Sequence, residues 1–441
     1  MIATEFLAIL SVVSFFLMLA IGMPVALTLA VSGLVFGYLG FGPVLFNLLP
    51  ARIFGVTANY TLIAIPLFVF MGVMLEKSKI ADDLMDVIGH LAGSLRGGMG
   101  IGIILVGVLM GATTGIVGAT IVTLGLITLP ALIRRGYHLP TACGTICASG
   151  TLGQIIPPST ILILLADILG QSVGTLFAAA LIPGLLLSGI FVIYLLFLGW
   201  WKPELVPPVE LAERESMGRR ELWSKAARCG LPPVTLVLAV LGSIIGGVAA
   251  PTEAASMGAL GSIFVVMVAG RFSFSVLQET TLATTRITAG MMFILICAQV
   301  FALAFRGLNG EGLVHRMFEW LPGGINSDIL FMMFIIFILG FFIEWIEISY
   351  IVVPLFLPIL QAANVDLVWI AALIALNLQT SFLTPPFGWA LFYLRSVAPP
   401  SVQTIEIYKG VVPFIGLQLI ALTIVFSYPT IATWLPRVIG W

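Results

Sequence analysis

Four short stretches of this chain concentrate the polar residues and helix breakers that chemistry within an apolar sequence requires. The first is Gly111-Ala112-Thr113-Thr114-Gly115, followed by Gly118-Ala119-Thr120. The second is Ser149-Gly150-Thr151-Leu152-Gly153-Gln154, running into Pro157-Pro158-Ser159. The third is Glu344-Trp345-Ile346-Glu347-Ile348-Ser349, and the fourth joins Asn377, Gln379-Thr380-Ser381 and Thr384-Pro385-Pro386. A break in a helix frees backbone carbonyls and amides from the hydrogen-bond ladder. Proline removes a donor and clashes with the preceding turn, so each Pro-Pro pair makes its break obligatory. Carbonyl and hydroxyl oxygens are hard donors suited to a small cation, whereas half-helix N-termini favour an anion such as a carboxylate. Taken singly, the glycines read as close helix packing, the threonines and serines as bonds to the preceding turn and the prolines as kinks. Their recurrence at matched positions in two halves of the chain favours two binding sites.

Carboxylates inside an apolar run are costly. Glu344 and Glu347, a single helical turn apart, are placed to bind a cation, carry a proton or face an aqueous mouth. Glu253 follows Ala250-Pro251-Thr252 at a helix start, where it reads as a cap. His90, His138 and His315 fall in connections without ligand spacing, and Cys143, Cys147, Cys229 and Cys297 have neither zinc-site nor redox spacing.

The elements that must position these stretches are membrane helices. The chain has 441 residues, 60% hydrophobic and 9% charged, with a mean hydropathy of +1.17. A water-soluble domain carries about 25% charged residues. A net charge of −1 gives no polyanion-binding surface, so nucleic acid is not an expected partner. Spans are expected at about 5–21, 23–40, 61–75, 138–169, 174–199, 229–248, 250–269, 287–305, 366–397 and 411–430. The run from Phe6 to Ile21 reads as a membrane helix and not a signal peptide, having no basic leader and continuing into a second span. Two interrupted stretches, about 99–133 and 325–361, read as re-entrant hairpins. With the linker 200–228 on the cytoplasmic side, alternation then puts fifteen Lys and Arg residues inside and four outside, namely Arg52, Arg306, Arg316 and Arg437. Both termini are expected in the periplasm.

Leu129-Pro130 recurs as Leu357-Pro358, and Ile156-Pro157-Pro158 recurs at the same interval as Thr384-Pro385-Pro386. Gly33 pairs with Gly261 at that interval too. The expectation is an all-α membrane protein of about ten transmembrane helices and two hairpins in two inverted repeats. Residues 1–21 form a first helix, 22–199 the first repeat, 200–248 a linker and connecting helix, 249–430 the second repeat and 431–441 a tail. Residues 203–227 are expected to be solvated with a short surface helix, and 76–98 and 306–323 to be interfacial.

The chain resembles the large membrane subunit (DctM type) of tripartite ATP-independent periplasmic, or TRAP, transporters. The resemblance rests on Gly150-Thr151-Leu152-Gly153, Ile156-Pro157-Pro158-Ser159, Val248-Ala249-Ala250-Pro251-Thr252-Glu253-Ala254-Ala255, Thr384-Pro385-Pro386-Phe387-Gly388 and the run from Trp345-Ile346-Glu347 to Pro358. It implies an elevator-type fold and uptake of an organic acid across the bacterial inner membrane, driven by a sodium gradient. The implied partners are a periplasmic binding protein and a small four-helix membrane subunit, with no cofactor beyond the coupling ion. No GxxxxGK[ST] segment is present, in keeping with a transporter that does not use ATP. By position, the resemblance assigns sodium coordination to Thr113, Thr114, Gly150, Thr151 and Gly153 in the first half, and to Glu344, Trp345, Gln379, Thr380 and Thr384 in the second. Many family members carry an aspartate and then small residues where this chain has Glu344-Trp345-Ile346-Glu347, so the acid carried is not transferred from the best-known members. That acid is expected on hydroxyls, amides and helix ends, with Ser149, Gln154, Ser159, Glu347 and Ser381 as candidates, or on Arg395. The alternatives are a self-sufficient sodium- or proton-coupled anion transporter and an intramembrane enzyme using Glu344 and Glu347 as acid and base. The enzyme reading leaves the repeat unexplained.

Overall fold

A bilayer offers no water to exposed backbone groups, so an apolar chain satisfies them internally by forming helices. The computed structural model describes residues 2–210, 218–319 and 321–440, and among these no strand occurs. Among the described residues, eight helices are long and apolar enough to cross a membrane, and seven shorter apolar helices accompany them. The protein is a multi-pass membrane protein.

The first half opens with α1 (Ile2–Ala20), α2 (Val25–Phe41), α3 (Val44–Thr57) and α4 (Ala64–Lys77), the last extended backwards by a 3-10 turn at Tyr60–Ile63. The expected interfacial helix is α5 (Ile80–Ala92), whose Asp83 and Asp86 bind Lys225 and whose Asp83 also binds Arg271. The first interrupted stretch forms α6 (Gly98–Thr114) and α7 (Val117–Arg134), joined by only Gly115 and Ile116. A broken pair follows, α8 (Leu139–Thr151) and α9 (Thr160–Leu169), then the long α10 (Val173–Trp201).

The second half begins with α11 (Arg219–Ile245), α12 (Pro251–Val268), α13 (Phe274–Gly307) and the short α14 (Gly310–Glu319). The second interrupted stretch is α15 (Ile325–Leu339) and α16 (Trp345–Ala362), the latter with a π-helical segment at Ile348–Val352. The second broken pair is α17 (Leu367–Leu383) and α18 (Trp389–Val397), followed by α19 (Thr404–Ser427) and α20 (Thr430–Val438). The starts of α7 and α16, and again of α8 and α17, are separated by the same interval as the repeated Leu-Pro and Pro-Pro pairs.

Several boundaries differ from the expected ones. Residues 44–57, expected as a connection, form α3; α13 starts at Phe274 instead of about residue 287; and the C-terminal tail contains α20. The linker is shorter than expected, because α11 continues back to Arg219; the surface helix expected there falls partly on residues 211–217, which lie outside the described residues, with one 3-10 turn seen at Pro203–Leu205. Glu253 caps α12 as expected, accepting the Ala250 N–H at 2.9 Å.

The helices pack as two groups. In one, α2, α3 and α4 lie on α13, and α4 also on α12; in the other, α8 packs with α6, α7 and α19, while α17 packs with α15 and α19. The groups meet where α4 touches α6, where α4 and the turn before it touch α9, and where α13 touches the start of α16. Small residues allow this contact: a Cβ built on Gly72 of α4 would lie 2.2 Å from Thr114 Cα, at the end of α6.

Candidate functional site

Each broken pair meets the turn of a preceding hairpin. In the first half, α8 ends at Thr151, a single 3-10 turn carries the chain through Leu152–Gln154, and Ile155 to Ser159 are non-helical before α9 begins. Pro157 and Pro158 have no N–H to continue the ladder, which explains the break. The Ser159 hydroxyl donates to the freed carbonyl of Gln154. At the hairpin turn, Gly115 has φ +60°, a conformation glycine adopts without steric cost. Its carbonyl accepts from the Thr160 hydroxyl at 3.2 Å, tying the turn to the start of α9. Behind it the two helices touch backbone to backbone: a Cβ on Gly111 would lie 2.4 Å from Gly153 Cα, and one on Gly107 2.7 Å from Ser149 Cβ.

The second half repeats the plan with different residues. Residues 384–388 separate α17 from α18, and the Pro157-Pro158 and Pro385-Pro386 bonds are both cis. Gly340, at the end of α15, sits against Ser381 of α17. The Asn377 amide donates to the Met333 carbonyl at 2.7 Å, fastening α17 to the first hairpin arm. The halves also cross over. Tyr393 of α18 lies on Gly118 of α7, and Tyr350 of α16 donates to Asp167 of α9 at 2.9 Å.

The candidate sodium residues of the first half lie along the end of α6 and along the end of α8 with the 3-10 turn that follows it. The Thr113 hydroxyl donates to the Met110 carbonyl, Thr114 shares a 3.1 Å hydrogen bond with Thr120, and Thr151 donates to Ala148. Gly153 faces Gly111, whereas Gly150 is packed against Ile121. In the second half Gln379 and Thr380 are fully buried on α17, with Thr380 donating to Leu376 and Thr384 to Thr380. Glu344 and Trp345 are half-buried at the hairpin turn. Among the candidates for the acid, Ser149, Gln154, Ser159, Ser381 and Glu347 are all buried beside the breaks or the second hairpin turn. The Ser149 and Ser381 hydroxyls bond back to Ile146 and Leu378. Arg395 stands apart: it is exposed at the end of α18, and its guanidinium donates to the Val402 carbonyl.

The most informative groups are those left without partners. Both side-chain polar atoms of Gln154, Gln379 and Glu347 are buried with no hydrogen-bond partner among the described residues, as are Trp389 Nε1 and Gln418 Oε1. An unsatisfied buried polar group costs about 1–3 kcal/mol, and a charged one more. Gln154 lies at the first break, Gln379 on α17 just before the second, and Glu347 at the second hairpin turn, so each offers unmet polar atoms to a guest. Gln418, Asp167, Asn59 and Glu76 are functional candidates that the motifs did not single out. The signal for Asp167 and Gln418 was an isolated polar residue in each of the apolar runs 161–169 and 410–422, and for Glu76 a carboxylate at the end of α4. Asp167 accepts from both Asn59, at 2.7 Å, and Tyr350; Glu76 accepts from Thr123 at 3.1 Å. A cavity of about 530 Å³, lined mainly by apolar residues such as Val173, Ile244 and Pro251, also exposes Asp167, Gln171 and Thr252. No cluster of three or more His, Cys, Asp or Glu suited to a resident metal occurs among the described residues.

An all-helical, multi-pass chain with polar helix breaks inside its core defines a membrane transport protein. Residues 12–431 match the family model of the tripartite ATP-independent periplasmic transporter, DctM component, and the chain belongs to that family: it is a TRAP transporter large membrane subunit. It is 31% identical over 406 residues to the C4-dicarboxylate TRAP transporter large permease protein DctM of Pseudomonas aeruginosa, covering 91% of this chain and 92% of that one. It is 26% identical to the ectoine TRAP transporter large permease protein TeaC of Halomonas elongata, covering 95% and 96%. Among solved structures, the YdaH transporter of Alcanivorax borkumensis has the same fold, with a TM-score of 0.57 at 14% identity, over 94% of this chain and 97% of that one. These relatives are transporters and permeases, not enzymes.

Proposed function

We propose that this subunit takes up an organic acid across the bacterial inner membrane together with sodium, receiving the acid from a periplasmic binding protein and working beside a small four-helix membrane subunit. The observation that carries this reading is the set of orphaned side chains, the amides of Gln154 and Gln379 at the two breaks and the Glu347 carboxyl at the second hairpin turn, together with the broken helices that free backbone groups there. Small hard cations are bound by backbone carbonyls and by hydroxyl and amide oxygens, and the N-termini of α9 and α18 suit a carboxylate. The transported carboxylate rests on hydroxyls, amides and helix ends in this reading, because Arg395 is engaged at Val402. The acid itself is an organic carboxylate: relatives named for a C4-dicarboxylate and for ectoine share that group.

The packing of the helices into two groups supports an elevator movement, in which α6–α9 and α15–α18 carry the sites past α2–α4, α12 and α13. Alternating access then requires the two contact seams to slide. The test is uptake of labelled organic acids into liposomes containing this chain and its small subunit, with and without an inward sodium gradient and a candidate binding protein. Uptake requiring both supports the proposal. Sodium-driven uptake with no binding protein makes the chain a self-sufficient transporter instead.

A further inference from the structure

Gln418 lies on α19, outside both hairpins and both broken pairs. It is 1% exposed in the middle of an apolar helix of 24 residues. Its amide nitrogen donates to Thr151 Oγ1 at 3.4 Å, and its amide oxygen, also buried, has no partner among the described residues. Thr151 Oγ1 meanwhile donates its own proton to the Ala148 carbonyl at 2.9 Å. The hydroxyl is thereby held from two sides and keeps one lone pair free. The approach of α19 to α8 is fixed by backbone contact nearby: a Cβ on Gly144 would lie 2.0 Å from the Gly410 carbonyl oxygen. The same seam brings Gln418, about two turns further along α19, to Thr151 at the end of α8.

The internal repeat gives this contact a meaning. At the interval that relates Leu129-Pro130 to Leu357-Pro358, Thr151 at the end of α8 corresponds to Gln379 on α17, whose own carboxamide is buried and unpartnered. A threonine side chain is shorter than that of glutamine and ends in a hydroxyl, so the first half has no carboxamide at that position. Gln418 supplies one from a neighbouring helix.

We propose that Gln418 is a positioning and oxygen-donating residue of a cation site at the first break: its NH2 orients Thr151, and its unpartnered oxygen faces a small monovalent cation. This deepens the sodium reading above and rests on it. A purely structural tie between α19 and α8 is the competing role, and the two roles predict opposite effects in the absence of the cation. An amide kept for a cation is a liability when none is bound, so an apolar replacement then leaves stability unchanged or raises it. An amide kept as a tie is missed whether or not the cation is present.

The experiment measures thermal unfolding of the purified full-length chain in detergent, titrated with sodium chloride against choline chloride at constant ionic strength. Wild type is expected to show a saturable rise in Tm specific to sodium. Gln418→Met is expected to raise the half-saturating sodium concentration about tenfold, with the sodium-free Tm at or above that of wild type. Gln418→Asn, which keeps the amide and shortens its reach, is expected to fold and to show a similar loss. A sodium-specific response in wild type that both variants retain unchanged overturns the role of Gln418 while leaving the sodium reading intact. So does a fall in sodium-free Tm with an unchanged half-saturating concentration. The absence of any sodium-specific response in wild type overturns both.

Discussion

Buried polar side chains without partners are the informative feature at the scale of single residues. Gln379 is fully buried, and neither of its amide atoms is bonded. If these groups wait for a guest, Gln379→Leu should cost no stability without substrate or ions and should stabilise by about 1 kcal/mol, the penalty of an unmet amide removed. Uptake by the same variant should fall at least tenfold, so a thermal melt beside an uptake assay separates the two effects. A drop in Tm with uptake retained would make Gln379 a packing residue. Glu347 gives a second check, since it too is fully buried and unpartnered: Glu347→Ala should abolish uptake while the protein still purifies as a folded species. Much of this was legible in the sequence, because Ser149, Gln154 and Gln379 flank Pro-Pro pairs that force breaks. Gln418 and Asp167 were not, because no breaker marks them, and their partners Thr151, Asn59 and Tyr350 lie far away in the chain.

At the scale of elements, glycine decides how closely the hairpins approach the broken helices. Gly111 and Gly153 touch at the backbone, and neither main chain can yield to a side chain. Gly111→Val should therefore separate α6 from α8 and cost about 1–3 kcal/mol or more, as overpacking does. Gly55 of α3 has nothing within 4 Å of a built Cβ, and Gly55→Ala should instead be neutral or stabilise by roughly 0.5–1 kcal/mol, because alanine is the better helix former. Comparing the melting temperatures of the two variants checks the assignment of close contact. Each interrupted stretch contains two helices joined by a short non-helical segment, and the gaps of the broken pairs fall at the Pro-Pro pairs. Helix α3 was missed because its 14 residues, about 21 Å at 1.5 Å each, cannot span a bilayer, and because Pro50 and Arg52 read as a connection. The early part of α13 was missed because Glu279, Thr281, Thr284, Thr285 and Arg286 dilute its hydropathy. Its 34 residues reach about 51 Å, which exceeds a hydrocarbon core of about 30 Å, so its charged end extends beyond the core or the helix tilts strongly.

For the whole molecule, the question is whether the two packing groups move past each other. Asp167 joins them: it sits at the end of α9, receives one hydrogen bond from Asn59 between α3 and α4, and another from Tyr350 on α16. An elevator must break the Asn59 contact in each cycle. A disulfide between Asn59→Cys and Asp167→Cys should therefore stop uptake, and reductant should restore it. The four native cysteines are free and buried, which limits competing cross-links. Full uptake in the cross-linked protein would show that these two elements move together. The recurring interval read first from Leu129-Pro130 and Leu357-Pro358 reappears in the starts of α7 and α16 and of α8 and α17. Which helices pack together was not legible in the sequence, because contacts such as Gly33 with Phe301 or Gly144 with Gly410 join residues from opposite halves of the chain. The most direct test of the central claim is the initial rate of organic-acid uptake by the reconstituted two-subunit membrane complex, measured with its binding protein as the inward sodium gradient is imposed and then collapsed. Concentrative uptake should vanish when either the gradient or the binding protein is withdrawn; uptake that persists after the sodium gradient is collapsed would contradict sodium coupling.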